Sequence, residues 1–144
     1  MCSRRKSVIK TGPGEYGEGD IFLGIRVPVT RKVARKFRGL ALRQILELLK
    51  SKTTNERLLA LFMLVAQLKK GSDKERKNIY DAYLDHTDTI NNWDLVDSSA
   101  HQIVGGYLFE RDRKRLYQLA KSKSLWERRI SIIATYTFIK KNDF

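Results

Sequence analysis

Trp93 and Asp97 are the two residues whose types and spacing best suit chemistry on a bound ligand. Four positions apart at the start of a predicted helix, they share one helix face, with about 5–6 Å between their Cβ atoms. An indole offers a rigid face for a base or a cationic sugar, and a carboxylate can stabilise positive charge growing on a deoxyribose carbon or orient an attacking water. Both properties suit cleavage of an N-glycosidic bond. Spacing alone favours the structural alternative, in which the tryptophan is a core residue and the aspartate pairs with an arginine of the next repeat.

Arg128 and Arg129 form a second candidate site, in the first turn of another predicted helix. Cations at this end oppose the helix macrodipole, so local stability does not explain them. Helix amides and guanidinium groups together make a good receptor for a phosphate or a carboxylate. One of the two arginines is therefore a candidate to hold a DNA phosphate or to orient Asp97 across a groove. The alternative is an ordinary bond to an acid of a neighbouring helix. Trp126 follows core spacing and is predicted to pack.

The composition favours a polyanionic partner. The chain of 144 residues carries 29 Lys and Arg against 16 Asp and Glu, a formal charge of +13. The charge is concentrated at the two ends, since residues 1–50 contribute +8, residues 51–100 contribute −1 and residues 101–144 contribute +6. Nucleic acid is favoured over membrane, because the longest apolar stretch, residues 58–68, is too short to span a bilayer.

The sequence predicts neither secretion nor a metal site. Basic residues near the start are not followed by an apolar segment, so we expect a cytoplasmic protein that associates with the nucleoid through DNA. The single Cys2 can form no internal disulfide and no cysteine cluster. His86 and His101 have no partners at metal-ligand spacing, and no cofactor is predicted. Ser98 and Ser99 lack the strained turn and oxyanion donors of a hydrolase.

Residues 11–28 contain five of the nine glycines and both prolines, which predicts a loop. No strand precedes this loop and no Gly-Lys-Ser/Thr motif follows it, so nucleotide binding is excluded. The rest of the chain has apolar residues spaced by three and four, which is typical of amphipathic helices. Seven helices are predicted, at residues 30–38, 41–50, 54–70, 73–86, 92–109, 113–121 and 124–140.

Three capping motifs of the form Ser/Thr-x-x-Glu support the predicted helix starts, since hydroxyl and carboxylate can bond to amides of the first turn. These motifs are Thr53 with Glu56, Ser72 with Glu75, and Ser124 with Glu127. Long helices begin near residues 54, 92 and 124, with a second helix between each. That spacing predicts an all-α fold, an α-solenoid of stacked antiparallel helical pairs. A compact helical bundle is the alternative, because the repeats are only weakly similar to one another.

Four segments of the sequence resemble those of the AlkD-like DNA alkylation repair proteins, which are glycosylases built of HEAT-like helical repeats. The segments are residues 14–28, Asn91-Asn92-Trp93-Asp94-Leu95-Val96-Asp97, Leu125-Trp126-Glu127-Arg128-Arg129-Ile130, and residues 134–139. The second and third segments are specific as a pair. The resemblance implies a single domain, with a basic segment and glycine-rich loop at residues 1–29 and HEAT-like repeats at residues 30–144.

The resemblance implies that Trp93, Asp97 and Arg129 are cleft residues and matches Tyr16 to a cleft tyrosine through a one-residue alignment shift. Family members act on purines alkylated at N3 or N7, whose positive charge makes the base a good leaving group. The aspartate is thought to stabilise the oxocarbenium-like sugar and position water, while the tryptophan contacts the deoxyribose. Relatives have a further helix before the loop and further repeats after Phe144, and Pro where this chain has His101. We therefore expect a chain truncated at both ends.

The predicted function is hydrolysis of N3- or N7-alkylpurine nucleosides in duplex DNA by a monomer without metal or cofactor. The predicted catalytic residues are Asp97, Trp93 and Arg129. Further contacts to DNA are predicted for the basic ends, specifically for Tyr16, Arg26, Arg31 and Arg128. Two alternatives stay open: a DNA-binding repeat protein without catalysis, and a helical scaffold for a protein partner.

Overall fold

The computed structural model describes residues 13, 21 and 23–142. Its helices are α1 (Val27–Lys36), α2 (Leu42–Leu49), α3 (Thr54–Lys70), α4 (Asp73–Asp85), α5 (Trp93–Asp97), α6 (Gly106–Leu108), α7 (Lys114–Ala120) and α8 (Leu125–Lys140), with a π-helical segment, His101–Gly105, between α5 and α6. Apart from an isolated bridge between Ile21 and Thr53, the described residues contain no β structure. The all-α prediction is confirmed, and the stacking of helical pairs into a solenoid stays a prediction.

The central helix is α3, because its apolar residues cover most of its surface. Ten of its 17 residues are buried, and Leu61, Met63 and Leu64 are almost completely inaccessible. Both α1 and α2 pack on α3, which also contacts α4, α5 and the π-helical segment. The apolar stretch at residues 58–68 therefore forms the middle of the core. Within the described residues, no helix has the length and apolar character needed to cross a bilayer.

Close backbone packing joins α8 to the π-helical segment. The buried residues of α8, which packs on this segment, on α5 and on α7, recur at helical spacing: Ile130, Ser131, Ala134 and Phe138. A Cβ atom added at Gly105 would overlap the carbonyl oxygen of Ala134 and lie 2.7 Å from Oγ1 of Thr137. Thr137 also donates a hydrogen bond to the carbonyl of His101. Only glycine permits α8 to come this close.

The helix predicted over residues 92–109 is interrupted, which corrects the prediction of one continuous helix. Oγ of Ser99 donates to the carbonyl of Leu95 at 2.6 Å, and the Ser99 amide bonds instead to Val96. In a continuous α-helix the Leu95 carbonyl would accept from the Ser99 amide. Here the Ser99 hydroxyl takes its place. The Tyr83 hydroxyl donates to Ser99 at 2.8 Å, and burial raises the pKa of this phenol, so it stays a donor. When residues 93–108 are counted as one interrupted helix, the described residues contain seven helices, as predicted.

One helix start and one helix cap also differ from the predictions. The first helix begins at Val27 rather than at residue 30, because proline lacks the amide that a first helical turn leaves unbonded and Pro28 fits there. The predicted cap at Thr53 is wrong, since its side chain makes no capping bond and the Thr54 amide donates to the Ile21 carbonyl at 2.9 Å. The other predicted helices begin and end within one residue of the bounds in the structure.

The two remaining capping motifs are used differently. At Ser72 the motif is complete, because Ser72 and Glu75 bond to each other's amides at 3.3 and 3.0 Å. At Ser124 only the hydroxyl caps the helix, by accepting from the Glu127 amide at 3.3 Å. The Glu127 carboxylate instead accepts hydrogen bonds from Thr87, at 2.7 Å, and from Ser122. It therefore ties the loop before α5 to the start of α8.

We predict that Gly105→Ala destabilises the fold by about 1–3 kcal/mol, because the added methyl group forces two backbones apart. Its matched control is Gly106→Ala, where a Cβ atom meets nothing within 4 Å. Alanine is the better helix former, so this neighbour should be neutral or more stable by up to about 1 kcal/mol. Urea unfolding monitored by circular dichroism measures the free energy of unfolding of both variants. Equal effects of the two substitutions would contradict the packing described.

We predict that Glu127→Gln lowers the free energy of unfolding at pH 7 by about 1 kcal/mol, since two bonds lose their charged acceptor. Hydrogen bonds from Ser122 and Thr87 hold the pKa of Glu127 below its usual 4.5. A depressed pKa contributes stability that is present above pH 4.5 and is lost as pH falls through the folded-state value. The difference between wild type and variant should therefore shrink in urea titrations at pH 3.5. A difference that is independent of pH, or an equal loss in the exposed control Glu110→Gln, would count against this tie.

Candidate functional site

A two-pronged ion pair between Asp97 and Arg129 lies where α5 meets α8. Nε of Arg129 donates to Oδ1 of Asp97 at 2.8 Å, and Nη2 donates to Oδ2 at 2.7 Å. The planar guanidinium matches both carboxylate oxygens, so the pair fixes the orientation of the two side chains. The side chains are 40% and 34% exposed, which leaves the pair open to a ligand. The hydrogen bonds and charge of Asp97 raise the pKa of Arg129 above its ordinary value.

Trp93, at the start of α5, faces a groove beside this pair. The side chain is 45% exposed, so it is not the core residue that spacing alone favoured. Together with Arg128 and Arg129 it lines an open groove of about 610 Å³ between α5, α7 and α8. The other walls are mainly apolar and include Leu125, Trp126 and Ile132. This volume lies in the range of small-ligand sites. Trp126 packs against the core as predicted and also forms part of this wall.

A second carboxylate, Asp94, lies in the first turn of the same short helix. Burial raises the pKa of Asp94, and the nearby charge of Asp97 raises it further. The two carboxylates of α5 therefore differ in environment. Asp97 is bound to a guanidinium, whereas the environment of Asp94 disfavours its charged form.

Polar residues that the sequence did not reveal hold the start of α5. Asn92 caps this helix, because its Oδ1 accepts from the Leu95 amide at 3.0 Å. Arg57, buried in α3, donates to Oδ1 of Asn91 at 3.3 Å and to the Ser51 carbonyl at 3.1 Å. An asparagine directly before Trp93 is a recognisable capping signal. The bridge from Arg57 has no such signal, since it joins residues 34 positions apart.

The two arginines at the start of α8 have separate partners. Nη1 of Arg128 donates to the carbonyls of Ser122 and Lys123, at 2.7 and 2.9 Å, in the loop between α7 and α8. Of these two arginines, only Arg129 donates hydrogen bonds to Asp97. The structure thus brings together Trp93, Asp97 and Arg129, with Arg128 on the groove wall. Contact of Arg128 with DNA stays a prediction.

The other predicted DNA contacts lie apart from this groove. Arg31, on α1, is exposed and its guanidinium lies 4.2 Å from the centre of the Phe62 ring. Arg26 is exposed directly before α1, and its carbonyl accepts from the amides of the first turn. Tyr16 lies outside the described residues. DNA binding by all three stays a prediction.

The arrangement offers a fixed carboxylate at the edge of a groove that an exposed indole lines. Such a carboxylate can stabilise a positive charge on a bound molecule and accept a hydrogen bond from water, and the indole can cover a flat or apolar group. The described residues contain no group of three or more His, Cys, Asp or Glu side chains placed to hold a metal ion. The chemistry that these side chains can perform is electrostatic stabilisation and positioning.

Comparison with known proteins identifies the family. Neither a search of curated proteins nor a search of solved structures found a match. A family model described as "DNA alkylation repair enzyme" matches residues 3–144. This range includes Trp93, Asp97 and Arg129, and it confirms the resemblance inferred from the sequence. Because the match covers nearly the whole sequence, the chain belongs to the DNA alkylation repair enzyme family.

Proposed function

We propose that this protein is a DNA glycosylase that hydrolyses the N-glycosidic bond of purines alkylated at N3 or N7 in duplex DNA. The observation that carries the proposal is the two-pronged pair of Asp97 and Arg129 beside the groove that Trp93 lines. Membership of the family supports a role in DNA alkylation repair. The type of bond is an inference from the chemistry of these three side chains, and the lesions are those that the resemblance to the AlkD-like proteins implies.

The proposed substrate suits a site without a strong acid. Alkylation at N3 or N7 gives the purine a positive charge, so the electrons of the breaking bond between C1′ and the base neutralise it. The base leaves as a neutral molecule and needs no proton. Positive charge then develops on the sugar, where a carboxylate stabilises the transition state more than the ground state. Water adds to C1′ and releases its proton.

In this mechanism Asp97 is the catalytic residue and Arg129 is the residue that positions it. Each carboxylate oxygen accepts one bond from the guanidinium and has further lone-pair capacity for the sugar or for water. The fixed orientation means that little reorganisation accompanies the reaction. The exposed indole of Trp93 contacts the deoxyribose at the lesion.

The cationic surface holds the duplex in this proposal. The formal charge of +13 supports attraction of DNA phosphates that weakens as salt increases. Arg26, Arg31 and Arg128 are the proposed phosphate contacts, with Tyr16 as a further DNA contact, and a monomer is sufficient to form the site. Such contacts position the duplex without reading its sequence.

We predict that Asp97→Asn lowers the single-turnover release of 7-methylguanine from methylated duplex by at least roughly 100-fold, because the developing charge loses its counterion. Its matched control is Asp73→Asn, which removes an exposed partner of Arg111 at 3.4 Å outside the groove. The control should release base at the wild-type rate, and circular dichroism should show both variants folded.

Unchanged release by Asp97→Asn would remove the proposed catalytic role. If the wild type binds methylated and unmethylated duplex equally and releases no base, the protein is a DNA-binding repeat protein without catalysis. A protein that binds no duplex even at low salt would favour the scaffold alternative instead.

A further inference from the structure

A basic groove lies beside the candidate site and is separate from the apolar groove at Trp93. It consists of two cavities of about 540 and 270 Å³ that share Val65, Lys69 and Gln102. Its cations come from α1, α3, α4 and the end of α8, and include Arg31, Arg35, Lys69, Arg76, Lys140 and Lys141. Among the described residues that line it there is no Asp or Glu. No acidic side chain of the described lining therefore offsets the positive charge of this groove.

Arg76 lines the larger cavity of the basic groove. Its Nη2 donates to the Gly106 carbonyl over a long 3.4 Å, and its Nε has no hydrogen-bond partner within the described part of the chain. The Nε atom is enclosed by protein, so Arg76 contributes to the groove through the positive charge of its guanidinium.

His101 links the basic groove to the catalytic carboxylate. It lies four residues after Asp97, and an interaction with the Asp97 backbone acts to raise the pKa of its ring. The ring packs edge-on against Tyr136 with 5.6 Å between the ring centres. It also lines the larger cavity of the groove. One imidazole thus lies one helical turn after the proposed catalytic residue and lines the same cavity as the cations.

Charges on several helices act on this imidazole. Burial lowers the pKa of His101 below 6.5, and the charges of Lys140 and Lys69 lower it further, while the bond to Asp97 and its charge oppose them. Asp97 is on α5, outside the lining. The cavity itself is lined by Lys69 of α3, Arg76 of α4, and Tyr136, Lys140 and Lys141 of the α8 region. In the free protein the lysines therefore favour the neutral ring. An anion between them would reverse this effect.

We propose that the basic groove binds a backbone phosphate of duplex DNA and that protonated His101 is one of its ligands, so that duplex binding takes up a proton. This inference rests on the DNA binding proposed above and not on base hydrolysis. The ligand class is a phosphodiester, because an open groove with cations along its length suits a polyanion. Residue 101 thereby gives this chain a binding response to pH.

The first test measures the dissociation constant of an undamaged duplex between pH 5.5 and 8.0 at constant ionic strength. The wild type should bind more tightly as pH falls, by about tenfold for each unit by which the phosphate raises the pKa of His101. His101→Gln should lose this dependence. The matched control is His86→Gln, because His86 ends α4, bonds to the Ala82 carbonyl at 2.7 Å and does not line the basic groove. The control should keep the wild-type profile.

The second test needs no variant. The chain has two histidines, so proton NMR of the wild type can follow the His101 ring with and without the undamaged duplex. The pKa of His101 should lie below 6.5 in the free protein and rise in the complex. An unchanged pKa in the complex, or a wild-type pH profile in His101→Gln, would overturn the inference.

These outcomes are independent of base release. If duplex binding depends on His101 protonation but no 7-methylguanine is released, the proposed phosphate binding by the basic groove is supported and the glycosylase proposal is wrong. If base is released and duplex binding by the wild type is insensitive to pH, the glycosylase proposal stands and the role of His101 is wrong.

Discussion

The close approach of α8 to the π-helical segment is the contact on which the candidate site depends. Gly105 leaves room for the carbonyl of Ala134, and this proximity brings the start of α8 beside α5. Asp97 and Arg129 are 32 positions apart in sequence, so only tertiary packing can align them for two hydrogen bonds. The residues that fix the backbone here are therefore as necessary to the site as the charged pair itself. Ties at the ends of these elements, from Arg57 to Asn91 and from Glu127 to Thr87, complete this framework.

The same packing creates two neighbouring surfaces of different character. On one side, Trp93 and apolar residues of α8 form a groove, and at its edge Arg129 holds the Asp97 carboxylate. On the other, cations of four helices line a groove to which His101 also belongs, without acidic residues among the described lining. An apolar groove with one fixed charge suits chemistry at a single nucleotide, whereas a cationic groove suits the backbone of the duplex. Residues 93–105 contribute to both surfaces. A ligand bound at one surface is therefore connected with the second surface by a single short stretch of chain.

The sequence predicted most of the helices but not the contacts that set the site's geometry. The helix at residues 54–70 was predicted correctly because a long apolar stretch and strong helix formers agree there. Residue type and spacing identified Trp93 and Asp97, and the start of α8 drew attention to Arg129. The break after Asp97 was missed because it depends on a bond from Ser99 to Leu95 and on Tyr83 of another helix. The prediction of a cap at Thr53 was also wrong where a distant part of the chain takes part in the helix start, since the Ile21 carbonyl accepts from the Thr54 amide.

The measurement that tests the account most directly is a double-mutant cycle of Asp97→Asn and Arg129→Gln in the single-turnover release of 7-methylguanine. If Arg129 acts by positioning Asp97, each single variant is slow, and the double variant is about as slow as Asp97→Asn alone, because the arginine has nothing left to orient. Losses that multiply in the double variant would show that the two residues act independently, and would contradict the central claim that this pair is one catalytic unit.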